Sequence, residues 1–344
     1  VDYNVILNAP DVKMIYHDGT RFTATLTDEK GNPIRDAAIE ITINGRSYDK
    51  ITDEKGGVSL GLNLDSGIYS VVVKFKGLPN YSPITKHANV TIEPTVKGLD
   101  VVKMFRNSTQ YYAIFTDSHG NFLKNKNVQF NINGVFYTKT TNDKGIAMMG
   151  INLNPGKYII TAKNLVTGEQ SSNIITVKSL IVQKDLTKYY LNASRFQTTI
   201  YNKDGSLAVN KEVTFNINGV FYHRTTDSNG VASLGISLRP GEYIITTMFD
   251  GLAIGNKVTV LPTLVTKNLN MKYLDGSSFT AQTLDGQGKP LANQNVSFNV
   301  NGVFYYKVTD NNGMAKLNIR LMPGEYIITS CWNNFQTGNT IKIE

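Results

Sequence analysis

A short motif that returns at nearly equal intervals constrains this chain more than any other feature. The string Asn-Gly-Val-Phe-Tyr begins at Asn133, Asn218 and Asn301, and a weaker copy, Asn-Gly-Arg-Ser-Tyr, begins at Asn44. The copies are 89, 85 and 83 residues apart. A second string, which contains Gly and Tyr two residues apart, keeps the same three intervals and begins at Ser66, Pro155, Pro240 and Pro323. We therefore predict four repeats, with the first the most divergent, at 1–95, 96–179, 180–262 and 263–344.

The third repeat shows what each copy folds into. Val213, Phe215 and Ile217 alternate with polar residues, and the Asn218-Gly219 pair that follows is the strongest short-range signal for a β-hairpin closed by a type I′ turn. This turn pairs Ile217 with Val220 across the hairpin, so we expect both side chains to face the core. Aspartate- and glycine-rich turns punctuate the rest of the repeat.

Seven short strands fit into each repeat of about 85 residues, and no helical stretch interrupts them. The sequence predicts an all-β chain of four tandem immunoglobulin-like β-sandwich domains, joined by short linkers into an extended rod. A tyrosine two residues after a corner glycine is typical of the tyrosine corner of such sandwiches, in which the hydroxyl bonds to a backbone group that would otherwise be buried without a partner. We expect this structural role for Tyr69, Tyr158, Tyr243 and Tyr326.

These motifs carry a family resemblance that covers the whole chain. The order Gly31-Asn32-Pro33, Thr52-Asp53, Gly56, Gly67 and Tyr69 is similar to the bacterial Ig-like domains of intimin and invasin. The fuller motifs of the later repeats, which close on residues 256–260, most resemble the Ig-like repeats of adhesin-like surface proteins of methanogenic archaea. The resemblance implies a cell-surface array and leaves the ligand open.

Composition excludes several functional classes. The net charge is +8, but the 35 lysine and arginine residues are spread over every segment, so we expect no nucleic-acid binding. No run of about 18 apolar residues exists, so we expect no membrane contact by this fragment and place any export signal or anchor outside it. Cys331 is the only cysteine and cannot form an intrachain disulfide. We expect a monomer.

We expect neither catalysis nor a cofactor. The four histidines fall at unrelated positions of the repeats, with no nucleophile beside them. Asp53, Asp143, Asp227 and Asp310 recur in turns, but one carboxylate at each turn cannot supply the six to eight oxygens that Ca²⁺ requires, so we interpret them as turn-capping residues.

An intramolecular Lys–Asn isopeptide bond is a further hypothesis, because disulfide-free surface rods often contain one. The candidate residues are Lys103, Lys188 and Lys272 in the early strands and Asn173, Asn256 and Asn339 before the last strand. The reaction needs a buried carboxylate beside the pair, and no acid recurs at an inward position. The lysines also differ in register, so we expect no crosslink and interpret the asparagines as bulge or turn residues.

An aromatic residue after each hairpin turn is a candidate surface for a partner or a neighbouring domain. The two-residue turn places Phe136, Phe221 and Phe304 on the face opposite the core. These rings are predicted to pack against the adjoining domain, to stack with sugars or another partner, or simply to remain exposed. Trp332, near an end loop of the last repeat, could join such a surface or cover the core.

Together these features predict an extracellular stalk at the cell surface or cell wall that extends and presents binding regions for adhesion. The alternative is a carbohydrate- or cell-wall-binding protein with sites on the repeats themselves. The expected partners are surface glycans or proteins of another cell.

Overall fold

The computed structural model describes residues 2–344, which form 32 β-strands and no helix. None of these residues therefore belongs to a helix that could cross a membrane. The chain divides into two compact units, one ending at Lys178 and one running from Ser179 to Glu344. Each unit contains two successive sets of eight strands, and each set lies within one predicted repeat.

The first unit contains sixteen strands, eight in each of its two repeats. The first repeat contains β1 (Val5–Asn8), β2 (Val12–Ile15), β3 (Arg21–Asp28), β4 (Ala38–Ile43), β5 (Arg46–Ile51), β6 (Gly57–Gly61), β7 (Gly67–Phe75) and β8 (Ile84–Glu93). The second repeat contains β9 (Val96–Gly98), β10 (Val101–Met104), β11 (Gln110–Phe115), β12 (Asn127–Ile132), β13 (Val135–Thr140), β14 (Ile146–Gly150), β15 (Gly156–Lys163) and β16 (Gln170–Lys178).

The second unit repeats this order. The third repeat contains β17 (Ile181–Gln183), β18 (Leu186–Tyr189), β19 (Arg195–Ile200), β20 (Glu212–Ile217), β21 (Val220–Thr225), β22 (Val231–Gly235), β23 (Gly241–Phe249) and β24 (Leu252–Leu261). The fourth repeat contains β25 (Leu264–Thr266), β26 (Leu269–Met271), β27 (Ser278–Thr283), β28 (Asn295–Val300), β29 (Val303–Val308), β30 (Met314–Asn318), β31 (Gly324–Trp332) and β32 (Phe335–Ile343).

Each set of eight strands forms two sheets. In the first repeat the strand orders are β1-β3-β6 and β2-β8-β7-β4-β5, and the other three repeats reproduce both orders. Neighbouring strands are antiparallel, except that the second strand of each repeat runs parallel to the eighth. The prediction of an all-β chain of tandem Ig-like sandwiches is confirmed. The count of seven strands for each repeat is wrong, because the chain changes sheet early and its first segment forms two strands.

The core of each sandwich lies between the two sheets. In the last three repeats, one aromatic ring from each sheet meets edge to face: Tyr111 with Phe130, Phe196 with Phe215, and Phe279 with Phe298, at centroid distances of 5.5 to 6.1 Å. Such contacts add to the free energy gained by burying the rings.

The hairpin of the third repeat has the predicted register but a different environment. Asn218 and Gly219 both have positive φ, of 54° and 79°, and Ile217 pairs with Val220. Ile217 is buried, whereas 49% of Val220 is exposed, so the prediction that Val220 joins the core is wrong. The physical reason is that β21 is the edge strand of a five-stranded sheet, and the opposing sheet has only three strands to cover it.

Candidate functional site

Three side chains recur in a row across the outer face of the larger sheet. In the third repeat, strand pairing aligns Phe221 with Asn216 and Asn216 with Thr246. The second and fourth repeats have the same row, made by Phe136, Asn131 and Thr161 and by Phe304, Asn299 and Thr329. The first repeat lacks the aromatic ring and places Ser47, Thr42 and Val72 at these positions.

The phenylalanines of these rows are exposed. The exposed fractions are 62% for Phe136, 59% for Phe221 and 58% for Phe304. Phe221 remains exposed although the fourth repeat lies in the same compact unit. Phe221 therefore does not pack against the next repeat, which was one of the three predicted alternatives.

A row of this kind combines two modes of recognition. The phenylalanine supplies a flat apolar surface, the asparagine amide can donate and accept hydrogen bonds, and the threonine hydroxyl can do both. The asparagine and the threonine are half-buried and keep part of their surface accessible. The arrangement can stack and hydrogen-bond a ligand, but it holds no pair of groups that could move a proton.

Trp332 lies at the junction between the third and fourth repeats. It ends β31, packs on the core of the fourth repeat and donates a hydrogen bond from Nε1 to Gln294 Oε1 at 3.2 Å. With Tyr190 of the third repeat, it lines a cleft of about 410 Å³. The structure thus places Trp332 at an interdomain surface, away from the phenylalanine rows.

All four corner tyrosines make the same hydrogen bond. Each hydroxyl donates to the carbonyl oxygen four residues earlier: Tyr69 to Asp65, Tyr158 to Asn154, Tyr243 to Arg239 and Tyr326 to Met322, at 2.6 to 2.8 Å. This is the geometry expected of a tyrosine corner. The bonds lie at the surface, so the expectation that the carbonyl would otherwise be buried without a partner is wrong.

The lysines and asparagines of the crosslink hypothesis lie apart. Lys103 and Lys188 are buried, and each donates from Nζ to a carbonyl oxygen at 2.6 Å, of Ile151 and Ile236 respectively. Burial lowers the pKa of both amines. Lys103 pairs with Val177, which is four residues along β16 from Asn173, and Lys272 is exposed. The structure brings none of these lysines to its predicted asparagine.

The recurring asparagines instead form a clamp with an acidic or amide residue that the sequence reasoning missed. Asp100 Oδ1 accepts hydrogen bonds from the Ile174 backbone at 2.9 Å and from Asn173 Nδ2 at 3.1 Å, and these bonds lower the pKa of Asp100. Asp185 with Asn256, and Asn268 with Asn339, repeat the contact. In the first repeat, Asp11 accepts from the Asn89 backbone.

The clamp lies where the chain passes from the smaller sheet to the larger one. It therefore ties the crossing segment to the last strand. Asn173 also accepts a hydrogen bond from the Tyr111 hydroxyl at 2.7 Å, and burial, followed by the nearby Asp100 carboxylate, raises the pKa of Tyr111 to about 12. Asp11, Asp100, Asp185 and Asn268 are 89, 85 and 83 residues apart, the spacing of the other motifs, and this signal could have revealed them.

The turn aspartates cap their own backbone. In Asp53, Asp227 and Asp310, Oδ1 accepts hydrogen bonds from the amides two and four residues later. In the second repeat Asn142 does this, not the predicted Asp143. Within residues 2–344, no three His, Cys, Asp or Glu side chains come together in a group that could hold a metal ion.

Comparison with known proteins finds similarity to a bacterial adhesin. No family model matches the chain. The chain is similar to the inverse autotransporter adhesin YeeJ of Escherichia coli K12, with 21% identity over 393 residues, which covers 94% of this chain. It spans only 17% of the length of that relative.

Solved structures of two bacterial proteins resemble the chain weakly. A Ca²⁺-stabilised adhesin with which an Antarctic bacterium binds ice is 15% identical over the full length of both chains, with a TM-score of 0.21. Invasin, a bacterial integrin-binding protein, is 12% identical over 98% of this chain and 79% of its own, with a TM-score of 0.23. These values assign no ligand to this chain.

Proposed function

We propose that these four repeats are a stalk segment of an adhesin-like protein at the cell surface, which extends and presents binding regions carried elsewhere in the protein. Its work is mechanical and non-enzymatic. Because its motifs resemble those of archaeal surface proteins, we assign the segment an archaeal source. We place it outside the cell or in the cell wall.

The repetition of one sandwich carries this proposal. The features that recur in all four repeats are the sheet order, the corner tyrosine and the clamp at the sheet crossing, and all three stabilise the module. A catalytic site would be expected in one repeat and not in all four. Similarity to one part of a much longer adhesin supports the same role, because a stalk segment makes up only a part of such a protein.

Contacts at the junctions between successive repeats within each unit also support a stalk. In the first unit, Glu169 Oε1 accepts hydrogen bonds from the backbone and hydroxyl of Thr95, at 2.5 and 2.7 Å, and these bonds fix the linker residue to the second repeat. In the second unit, Asn192 Nδ2 donates to Gly286 O at 2.7 Å, and the rings of Tyr190 and Phe335 lie 5.7 Å apart. Such contacts resist bending at these two junctions.

A second candidate function follows from the phenylalanine rows. Exposed aromatic rings beside amide and hydroxyl groups suit the stacking and hydrogen bonding of carbohydrates at the cell surface. In this case the second, third and fourth repeats would bind glycans themselves, and the first repeat, which has Ser47 in place of the ring, would not.

A glycan array probed with the purified fragment separates the two functions. A stalk retains no glycan. Retention that is lost when Phe136, Phe221 and Phe304 are all replaced by serine, the residue of the first repeat, would favour the second function. The triple variant should unfold at the same temperature as the parent, because all three rings are exposed.

A further inference from the structure

The second repeat has an exposed apolar face that runs from its smaller sheet to the adjoining edge of its larger sheet. Leu99, Val102, Tyr112, Ile114 and Met148 are exposed by 81%, 62%, 51%, 41% and 46%. These five residues define what we name the β11 face. Tyr112, Ile114 and Met148 lie on the smaller sheet, opposite the sheet that bears Phe136, and Val102 lies on β10, at the other edge of that larger sheet from β13.

The residues of the β11 face are contiguous. Tyr112 pairs directly with Met148 across the β11–β14 ladder, and both side chains point away from the core. Leu99, Val102, Tyr112 and Ile114 line a single cleft of about 350 Å³ beside β9. A cleft of this size takes a few side chains.

The other repeats show that the fold does not require apolar residues at these places. At the corresponding register positions the three other repeats carry fourteen polar side chains and one proline. The residues are Pro10, Lys184 and Lys267 for Leu99; Lys13, Thr187 and Asn270 for Val102; Thr23, Gln197 and Thr280 for Tyr112; Thr25, Thr199 and Gln282 for Ile114; and Ser59, Ser233 and Lys316 for Met148. An apolar cluster confined to one of four equivalent surfaces points to contact with another molecule.

The charge of the second repeat indicates the chemistry of that molecule. Residues 96–179 contain ten lysine and arginine residues against four aspartate and glutamate residues, a net charge of +6 out of +8 for the whole chain. Lys97 lines the cleft, and its exposed amine has no ion-pair partner among residues 2–344. Asp100 also lines the cleft, but its carboxylate is engaged in the clamp. Charge complementarity therefore favours an acidic occupant.

We propose that the β11 face binds an extended protein segment in which acidic residues alternate with large apolar ones. Because β9 is an edge strand, an extended segment can lie beside it and place every second side chain in the cleft. The acidic residues then face Lys97 and the positive field of the repeat. This binding goes beyond the role of a stalk and is confined to one repeat.

Fluorescence anisotropy with the whole chain and three labelled peptides of roughly eight residues tests the proposal. The first peptide alternates Asp or Glu with Leu, Ile or Val, the second replaces its acids by lysine, and the third replaces its apolar residues by serine and threonine. We expect the first to bind at least about tenfold more tightly than either control and to weaken as salt rises from about 50 to about 500 mM. The double variant Tyr112→Thr, Ile114→Thr, which leaves the charge unchanged, should lower its affinity by about tenfold or more.

Two controls keep this result specific. Phe136→Ser, on the opposite sheet, should leave the affinity within about twofold. The double variant carries the residues of the first repeat, Thr23 and Thr25, and should keep the melting temperature of the parent; if it does not, Met148→Ser, as at Ser59 of the first repeat, replaces it.

Three results would overturn the proposal. The first is that the acidic apolar peptide binds no more tightly than its two control peptides, or does not bind at all. The second is binding that the Tyr112 and Ile114 substitutions leave intact. The third is that the β11 face has another occupant. A lipid surface would be detected as association with phosphatidylglycerol vesicles, and a second copy of the chain as dimers in sedimentation equilibrium; in either case these substitutions would abolish the association.

Discussion

Removing a single hydroxyl measures what the tyrosine corner contributes to one repeat. In Tyr243→Phe the only loss is the hydrogen bond from the hydroxyl to Arg239 O, at 2.7 Å. Because this bond lies at the surface, water can hydrate the freed carbonyl, and the free energy of unfolding should fall by about 0.5 to 1.5 kcal/mol rather than by the larger cost of a buried unpaired group. In Tyr243→Ala the half-buried ring that packs beside Gly241 is lost as well, so the cost should rise to about 2 to 3 kcal/mol.

Urea unfolding of residues 180–262, followed by circular dichroism, gives these numbers. The midpoint should move while the slope stays constant, because the surface exposed on unfolding hardly changes. Tyr222→Phe is the matched control: its hydroxyl has no hydrogen-bond partner in the structure, so its removal should change stability by less than about 0.3 kcal/mol. If Tyr243→Phe behaves like Tyr222→Phe, the shared hydrogen bond contributes nothing and the reasoning about the corner is refuted.

Three further predictions concern the third repeat and the chemistry of the chain. Burial lowers the pKa of Lys188, so the unfolded state binds more protons between that lowered pKa and the usual value of about 10.4. Wild type should therefore gain stability relative to Lys188→Met as the pH rises toward about 10, and a constant difference in urea melts would contradict this. Gly219→Ala should cost about 1 kcal/mol because φ is +79°, whereas Gly255→Ala, outside that region, should cost less in the same assay. Intact mass spectrometry should give the full sequence mass, and a deficit of about 17 Da for any repeat, one ammonia, would reveal a Lys–Asn crosslink that the positions of Lys103 and Asn173 argue against.

Local sequence signals predicted the parts of the fold that are decided locally. Asn218-Gly219 specified the turn and the pairing of Ile217 with Val220, because both residues of a type I′ turn need positive φ. Gly241, two residues before Tyr243, likewise marked the corner. These signals act over a few residues, so the rest of the sandwich hardly alters them.

The remaining features depend on which strands cover one another. The hairpin register predicts that Val220 faces the core. It does not show that Val220 lies on an edge strand that the smaller sheet leaves uncovered. The β11 face was also missed, because Leu99 and Met148 become neighbours of Tyr112 only through strand pairing. The clamp of Asp100 with Asn173 joins residues 73 positions apart, although the regular spacing of the clamp residues was visible in the sequence.

Single-molecule force spectroscopy of the whole chain tests the central claim, that the chain is a series of independent modules able to bear tension. When one repeat of about 85 residues unfolds, its chain extends to roughly 3.6 Å for each residue. After about 40 Å is subtracted for the length of the folded module, each unfolding event should lengthen the molecule by roughly 260 Å. The account predicts four events of this length for a molecule pulled from its ends. Two events of about twice that length, or shorter steps caused by crosslinked loops, would contradict it.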